Sequence, residues 1–501
     1  MFKSLLAKPF AAWEAGRISK WRRDPVGAQQ RVFRELLRKG SGTAFGKDHC
    51  FSEVRESTDF QQAVPMRDYE ALRPWVDRAV EGEADVLWPG RPAYFAKTSG
   101  TTSGSKFIPL TKDSMPNHIG SARAALTSYI HETGKSGFVN GKMIFLQGSP
   151  VLTDVNGVPT GRLSGLVYHH VPAYLLRNRM PSYETNCIED WEQKVEAIVR
   201  ETAKEPMTLI SGIPPWVVMY FERLLAYTGA SSVREIFPDF SLFVYGGVNY
   251  QPYAARIREL IGDDIDALET YPASEGFIAW QDSLDADGLL LNVESGIWFE
   301  FVPVSDWGKE NARRLTIEEV ETGVNYAIIL SNNAGLWSYV IGDTVRFTSL
   351  EPARIVVTGR LQHYISAFGE HVIAEEVEAA MVSAISELGV DVAEFTVAPH
   401  MGGDGQLPRH EWFVEFRQGA IPDESARAVL EKHLESELRQ QNSYYDDLID
   451  GNVLQPLAVR TVRVDGFTDF LRSKGKLGGQ NKIPRLANDR RFADDLSAFL
   501  L

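Results

Sequence analysis

Apolar positions change their period three times along the chain. Between Gln29 and Arg38 they fall at Val32, Phe33, Leu36 and Leu37, the spacing of one helical face. From Lys142 to Ala279 short apolar runs alternate with helical periods. Residues 143–146, 208–210 and 241–245 read as buried strands. Residues 214–227 and 252–261 read as helices opened by proline in the first turn. Such alternation predicts an α/β unit with a largely parallel sheet. From Leu289 to Phe347 the pattern becomes short alternating runs, at 290–293, 297–301, 327–330 and 344–347, with polar and glycine turns between them. That predicts an antiparallel sheet or small barrel attached to the α/β core.

After the apolar run at 355–357 comes Thr358-Gly-Arg360. A helix is predicted over 374–388, with Val377, Ala380, Met381 and Ile385 on one face, then strands at 394–397 and 411–416 and a helix over 424–440. The expected fold class is therefore α/β: a large N-terminal α/β domain with an attached antiparallel β-barrel, residues 1–358, and a small mobile C-terminal α+β domain, residues 359–501.

Composition narrows the function. The 501 residues carry a formal net charge of −15, which gives no basic footprint for nucleic acid. The two cysteines, Cys50 and Cys187, form no C-x-x-C pair, so neither a disulfide scaffold nor a zinc site is expected. The N-terminal stretch is broken by Pro9, Glu14 and a basic run, too soon for a signal peptide or a membrane span. It reads as an amphipathic helix on the protein's own surface, and a cytoplasmic, monomeric protein is expected.

Four segments carry chemistry. Lys97-Thr-Ser-Gly-Thr-Thr-Ser-Gly-Ser-Lys106 combines glycines that turn N–H groups inward, hydroxyls and a terminal lysine, the three things a polyphosphate needs. Gly40 to Asp48 superficially resembles a phosphate loop, but Asp48 replaces the hydroxyl and the spacing fails, so it reads as a turn. Glu269-Thr-Tyr-Pro-Ala-Ser-Glu-Gly276 follows a short strand, where ligands sit in open α/β sheets. Its Glu275 offers oxygen to a hard cation such as Mg²⁺. Gly335-Leu-Trp-Ser-Tyr-Val-Ile-Gly-Asp343 places an aspartate where a ribose diol can bond. The tail from Ser473 to Arg485 is rich in glycine and lysine and reads as a mobile loop able to reach a charged centre. Trp337, Tyr245 and the helix around 118–129 are expected to line an acyl pocket.

Taken in this order, the segments resemble the acyl-adenylate-forming superfamily of acyl-CoA synthetases, adenylation domains and luciferases. More closely, the chain resembles the Gretchen Hagen family of acyl acid amido synthetases over nearly its whole length. The resemblance implies ATP and Mg²⁺ as cofactors and small-molecule partners, a carboxylic acid and an amine, with an amino acid the expected amine. It implies that Ser99, Gly100, Thr101, Thr102, Gly104 and Lys106 hold phosphates, and that the Gly246-Gly247-Val248 turn, Tyr271 and Ser274 border adenine and the acyl group. It further implies that Glu275 serves Mg²⁺, Asp343 takes the ribose hydroxyls, Arg360 lies at a domain hinge and Lys482 stabilises the adenylation transition state. The expected catalytic set is Lys482, Glu275 and Thr101.

The chain departs from the pattern at two places. Val340 stands where the family has arginine, with Arg346 nearby, and Gln362 stands where the wider superfamily's hinge has aspartate. Lys474 and Lys476 compete with Lys482, which is preferred because Lys-x-Pro-Arg fits the closer family. His363 and His371 sit near the expected hinge. The alternatives are a ligase with a thiol acceptor, CoA, and a weakly catalytic nucleotide-binding protein of the same fold.

Overall fold

The computed structural model describes residues 2–501 apart from 100–104, 171–176, 310–311, 362–363, 366–371, 401–406, 452, 478–481 and 488; residues 2, 99, 105, 364, 365, 443 and 444 are described by backbone only. The chain divides into two compact units, Met1–Val356 and Val357–Leu501.

A small sheet in the first unit pairs β1 (Tyr94–Ser99) with β2 (Ser105–Leu110) as a hairpin, and adds β4 (Thr153–Val155) and β5 (Val158–Gly161). The main sheet has eleven strands. In spatial order they are β12 (Ile297–Pro303), β13 (Asn325–Asn332), β14 (Tyr339–Leu350), β15 (Ala353–Arg360), β11 (Leu289–Leu291), β10 (Gly276–Trp280), β9 (Asp266–Ala273), β8 (Leu242–Gly246), β7 (Met207–Ser211), β3 (Lys142–Phe145) and β6 (Arg179–Met180). From β6 to β9 every pairing is parallel. The pairs β9–β10, β10–β11, β11–β15, β12–β13 and β13–β14 are antiparallel.

The expected change of character beyond Leu289 is thus real, but those strands extend the parallel sheet instead of forming a separate barrel. They do coil. At about 4.8 Å per strand, β9 and β14 stand roughly 19 Å apart across a flat sheet. Yet the Tyr271 hydroxyl on β9 donates to Asp343 Oδ2 on β14 at 2.5 Å. Asn332 Nδ2, at the end of β13, likewise reaches the Glu275 carbonyl in the β9–β10 turn at 2.6 Å. A side chain at Gly276 would meet Ile297 Cδ1 at 2.4 Å, so the glycine permits this closeness. No hydrogen-bonded ladder closes the coil among the described residues.

Helices cover the sheet. The helix Pro25–Gly40, capped by the Asp24 side chain, is stapled to β12 by the buried Gln29 amide, which donates to the Val293 and Ile297 carbonyls and accepts from Phe299 N, all at 2.8 Å. The helices Pro214–Thr228 and Gln251–Ile261 both open on proline and stop at left-handed glycines, Gly229 and Gly262. Gly40 to Asp48 proves to be more than a turn: Thr43 caps a short helix, Ala44–Asp48, by accepting from Gly46 N at 3.0 Å. The N-terminal helix Phe2–Arg22 buries Ala11, Glu14, Ile18 and Trp21 and leaves Leu5, Leu6, Phe10 and Trp13 exposed. Among the described residues no helix is long and apolar enough to cross a membrane.

In the second unit, β18 (Val392–His400), β19 (Arg409–Phe416) and β20 (Ala458–Val462) form a mixed sheet. β16 (Tyr364–Ile365) and β17 (Val372–Ile373) form a small pair of their own. The helices Ala374–Leu388 and Glu424–Gln441 bury Val377, Ala380, Met381, Leu430, Leu434 and Leu438 in one core with Phe395, Val397, Trp412 and Val414.

Trp337 is not a pocket wall. It is 1% exposed, donates its indole N–H to the Leu87 carbonyl at 3.1 Å, and packs against Phe45, Phe51, Phe60 and Trp88. Trp337→Ala is therefore expected to cost about 3–5 kcal/mol, read as a lower denaturation midpoint of the first unit; an unchanged midpoint would contradict the packing.

Candidate active site

The site forms at the carboxyl edge of the parallel strands, where open α/β sheets present ligand crevices. β8 ends at Gly246, paired with Thr270 of β9. A side chain at Gly246 would lie 2.2 Å from the Thr270 carbonyl oxygen, and Gly247 has φ +75°, so both glycines are dictated by the backbone. Thr270 Oγ1 donates to the Tyr245 carbonyl at 2.8 Å and locks this turn beside Tyr271. Tyr245 is itself buried, and its hydroxyl donates to Glu269 at 3.3 Å. Burial and that carboxylate push its pKa up, which keeps it a neutral donor.

Tyr271 is 7% exposed and pairs with Ala279 across the β9–β10 hairpin. Ser274 and Glu275 form the two-residue tip of that hairpin, both half-buried. Asp343 is aimed by an irregularity in β14. Ala327 pairs with Thr344 while Ile329 pairs with Val340, so Ile341, Gly342 and Asp343 all oppose Ile328. Gly342 takes φ +90° within this bulge. Bulges of this kind re-aim a side chain out of the strand's alternation. Here the result is the short Tyr271–Asp343 bond, of the length found for a hydroxyl donating to a charged carboxylate.

The phosphate-loop candidate occupies the β1–β2 connection. Thr98 pairs with Lys106 and Ser99 with Ser105. Gly100, Thr101, Thr102 and Gly104 lie outside the described residues, as does the Ser99 side chain. Lys106 Nζ sits 5.6 Å from the centre of the Tyr69 ring, whose hydroxyl accepts from Phe107 N at 2.9 Å. Two residues earlier, Arg67 bridges to β14: its N–H donates to the Ser338 carbonyl at 3.0 Å, and its own carbonyl accepts from Val340 N at 2.8 Å. The 67–69 strap thus joins the base of the phosphate-loop hairpin to the strand that carries Asp343. Behind it Ser338, at φ +43°, donates to the fully buried Glu300 at 2.8 Å, and Arg314 donates to Ser338 Oγ at 3.0 Å. Burial drives the Glu300 carboxyl up and the Arg314 guanidinium down, with each partner opposing the other's shift.

The structure therefore brings together the Gly246–Val248 turn, Tyr271, Ser274, Glu275 and Asp343 in one unit, with Lys106 tied to the same strand by the 67–69 strap. Sequence reasoning missed Asn332 and the Tyr69 strap. Besides holding Glu275, Asn332 accepts from Ala334 N and Leu336 N at 3.0 Å each, so one amide shapes two motifs. Its signal was the Asn-Asn-Ala-Gly turn composition just before Leu336.

Arg360 and Lys482 belong to the second unit. Arg360 is exposed at the end of β15, after Gly359. Lys482 is exposed too, and the chain just after it is pinned. Thr396 Oγ1 donates to the Pro484 carbonyl at 2.6 Å, and Val397 N donates to the Arg485 carbonyl at 2.9 Å. The Arg485 side chain is buried, donates to Glu378 at 3.0 Å, pairs with Glu394 and lies over the Phe395 ring. Lys474 is paired with Asp495 at 2.8 Å. His363 and His371 lie outside the described residues.

Three models of a single family match the chain: the GH3 family N-terminal domain over residues 14–185, its central domain over 290–360 and its C-terminal domain over 375–491. The chain belongs to the GH3 family. It is similar to an indole-3-acetic acid-amido synthetase, GH3.4 of Arabidopsis thaliana, at 24% identity over 93% of this chain and 90% of that protein. It is also similar to a jasmonoyl–L-amino acid synthetase, JAR4 of Nicotiana attenuata, at 22% identity over 65% of this chain and 67% of that protein. The fold is that of the AtGH3.15 acyl acid amido synthetase solved with 2,4-DB, with a TM-score of 0.80 at 15% identity over 98% of this chain and 96% of that one. It is shared more distantly with a 2-hydroxyisobutyryl-CoA ligase in its postadenylation state, TM-score 0.62 at 13% identity over 96% of this chain and 94% of that one.

Near the site, the helix Met115–Thr133 carries His118, 5% exposed. Burial pulls its pKa from the ordinary 6.5 down to about 4. A folded pKa below the unfolded one means that the unfolded chain takes the proton first, so stability is present above about pH 6.5 and lost as pH falls toward 4. Between pH 7 and 4 the protein is expected to lose about 3 kcal/mol more than His118→Gln, measured by denaturant titration at each pH; parallel curves would refute it.

Proposed function

We propose that the protein is an ATP-dependent, AMP-forming acyl acid amido synthetase, which activates a carboxylic acid as an acyl-adenylate and passes the acyl group to an amine, an amino acid being the acceptor class. The observation that carries the reading is the Tyr271–Asp343 bond, which joins the adenine-bordering and ribose-binding motifs of a GH3-family chain at the carboxyl edge of its parallel sheet. The amido synthetase names of its relatives support the amine as acceptor.

In this reading the substrate carboxylate attacks the α-phosphorus of ATP in line and pyrophosphate leaves. The amine then attacks the acyl carbon of the mixed anhydride, losing a proton as the amide forms, and AMP departs. Asp343 accepts from the ribose hydroxyls while Tyr271 fixes its orientation. Ser99, Gly100, Thr101, Thr102, Gly104 and Lys106 cradle the phosphates through N–H groups, hydroxyls and one ammonium. The Gly246–Val248 turn and Ser274 border the base and acyl group. Lys482, just before the backbone pinned at Pro484 and Arg485, brings positive charge to the phosphoryl oxygens as charge accumulates. Arg360, at the junction of the two units, serves as the hinge for rotation between the two half-reactions.

A divalent cation fits the donor set. Mg²⁺ is commonly held by one or two carboxylates together with substrate phosphates, and Glu275 on its hairpin tip supplies one. Among the described residues no group of three or more metal-binding side chains competes for that role. When bound there, Mg²⁺ offsets phosphate charge.

Lys482→Ala is expected to lower carboxylate-dependent ATP–pyrophosphate exchange about 100-fold or more while ATP still binds; exchange at the wild-type rate would show that another lysine acts. Glu275→Ala is expected to raise the Mg²⁺ concentration for half-maximal exchange about tenfold, and an unchanged titration would remove its metal role. Mass analysis of products formed from an acid panel with amino acids or with CoA separates the amine from the thiol as acceptor.

A further inference from the structure

A second concentration of charge lies beyond the nucleotide clasp, where β3 ends. Arg179, on the edge strand β6, is 8% exposed. Its guanidinium carbon sits 4.2 Å from the centre of the Tyr168 ring and 4.9 Å from that of Phe145. Ring faces hold the guanidinium plane but use none of its N–H groups. Arg179 Nε is buried without a hydrogen-bond partner, and among the described residues no carboxylate pairs with the side chain. Burial pulls its pKa down to about 10, yet it remains charged at neutral pH. A buried guanidinium with no counter-ion is costly, and such a cost persists where an anion completes the site.

Two more unsatisfied donors face the same way. Gln147 Nε2 and Ser164 Oγ are buried with no partner. Gln147 lies two residues beyond Phe145, and the ladder continues at least to Leu146, whose N–H donates to the Ser211 carbonyl at 2.8 Å. Ser164 lies one turn before Tyr168 on the helix Leu163–Tyr168. Both spacings put the donor on the side of the ring that cradles Arg179. Arg162 arrives at this place because residue 148 is glycine: a side chain there would lie 2.8 Å from Arg162 Cδ and 3.6 Å from Ser164 Oγ. Arg162 is exposed and, like Arg179, has no ion-pair partner among the described residues. Behind them Lys194, 2% exposed, donates to the Gln147 carbonyl at 3.0 Å and the Asn186 carbonyl at 2.7 Å and fixes the backbone that carries Gln147.

We propose that this face is a carboxylate subsite, with Arg179 at its base, Arg162 at its rim, and Gln147 and Ser164 donating to the bound carboxylate. It rests on the amido synthetase reading and deepens it. The carboxylate that becomes the adenylate must lie at the α-phosphate, so it is not the one bound here. An amino-acid acceptor brings a carboxylate that forms no bond, and a dicarboxylic acyl substrate brings another. The main sheet places β3 three strands from β9, roughly 14 Å, which keeps such a carboxylate away from the phosphates.

The test is a ratio of kcat/KM values in two arms. In the first, amide formation is compared for an amino acid and for its carboxamide, which lacks the charge. In the second, ATP–pyrophosphate exchange is compared for a dicarboxylic acid and for its half-ester. Arg179→Gln is expected to lower the preference for the carboxylate-bearing ligand about tenfold in one arm, and that arm names the source. Arg179→Lys, which keeps the charge but not the fork, is expected to keep part of the preference, and it serves as the test should Arg179→Gln fail to fold. Unchanged ratios in both arms overturn the subsite. If the wild-type protein makes no amide with either amine, the acceptor reading has failed, and the exchange arm alone then supports or overturns the subsite.

Discussion

Everything at the candidate active site hangs on one bond across a coiled sheet, from the Tyr271 hydroxyl to Asp343. For it to form, four strand spacings must curl into the reach of two side chains, and the carboxylate must leave its strand's alternation. The second condition is met by the bulge at Ile341–Asp343 with Gly342 at φ +90°, a backbone that a side chain would strain. The first is met by the core. Phe33, Phe60 and Trp298 meet edge to face or tilted where the helix Pro25–Gly40 covers β12, and Gln29 satisfies three backbone groups where β12 begins. A charge-assisted bond of this kind is worth little if its partners must be ordered at the moment of binding. Here the fold has already ordered them.

The same economy explains the polar residues buried behind the site. Glu300, Arg314 and Ser338 form a desolvated cluster whose net contribution to stability is small by general experience. What the cluster holds is position. Ser338 sits in a left-handed conformation immediately before Tyr339, and the Arg67 backbone brackets that pair. The strap continues to Tyr69 and so to Lys106. The elements proposed to bind phosphate and ribose, far apart in sequence, therefore share one connection, which suits groups that must meet different parts of one nucleotide.

Much of this was legible in the chain, and the limits are physical. Periodicity located β3, β7, β8, β12, β13 and β18 and the helices at 214–228, 251–261, 374–388 and 424–441, because each element's period is set by its own residues. Gly246 marked a turn, whereas the bulge at Gly342, inside β14, was not foreseen. Two other things escaped. Whether the antiparallel strands form a separate barrel or lengthen the sheet depends on which strand lies beside β9, a long-range pairing that no local pattern encodes. Trp337 read as a ligand wall because an aromatic in a binding motif looks the same whether it faces a pocket or Phe51 and Phe60. The bridging role of the strap was unreadable for a related reason: the backbone N–H and carbonyl of Arg67 and the ring of Tyr69 carry no such signature until the partner strand is known.

The tail shows how a motif can divide its labour. Lys482 and Arg485 stand three residues apart in one lysine-rich motif, yet Arg485 is buried between Glu378, Glu394 and Phe395 while Lys482 is exposed. A cation that must reach a reacting phosphate cannot also be committed to a buried carboxylate pair, since breaking such a pair costs several kcal/mol, about 3–5 by general experience. In the proposed mechanism the two demands fall on different residues of the motif. Arg485 anchors the strand-like segment to β18 through the Thr396 and Val397 bonds. Lys474 is paired with Asp495 at the surface, a weaker tie than that of Arg485. The same division holds for the carboxylates of the first unit. Glu300 is buried and positional, while Asp343, in the bulge of β14, and Glu275, at a hairpin tip, stand half-exposed, where a ligand can be met.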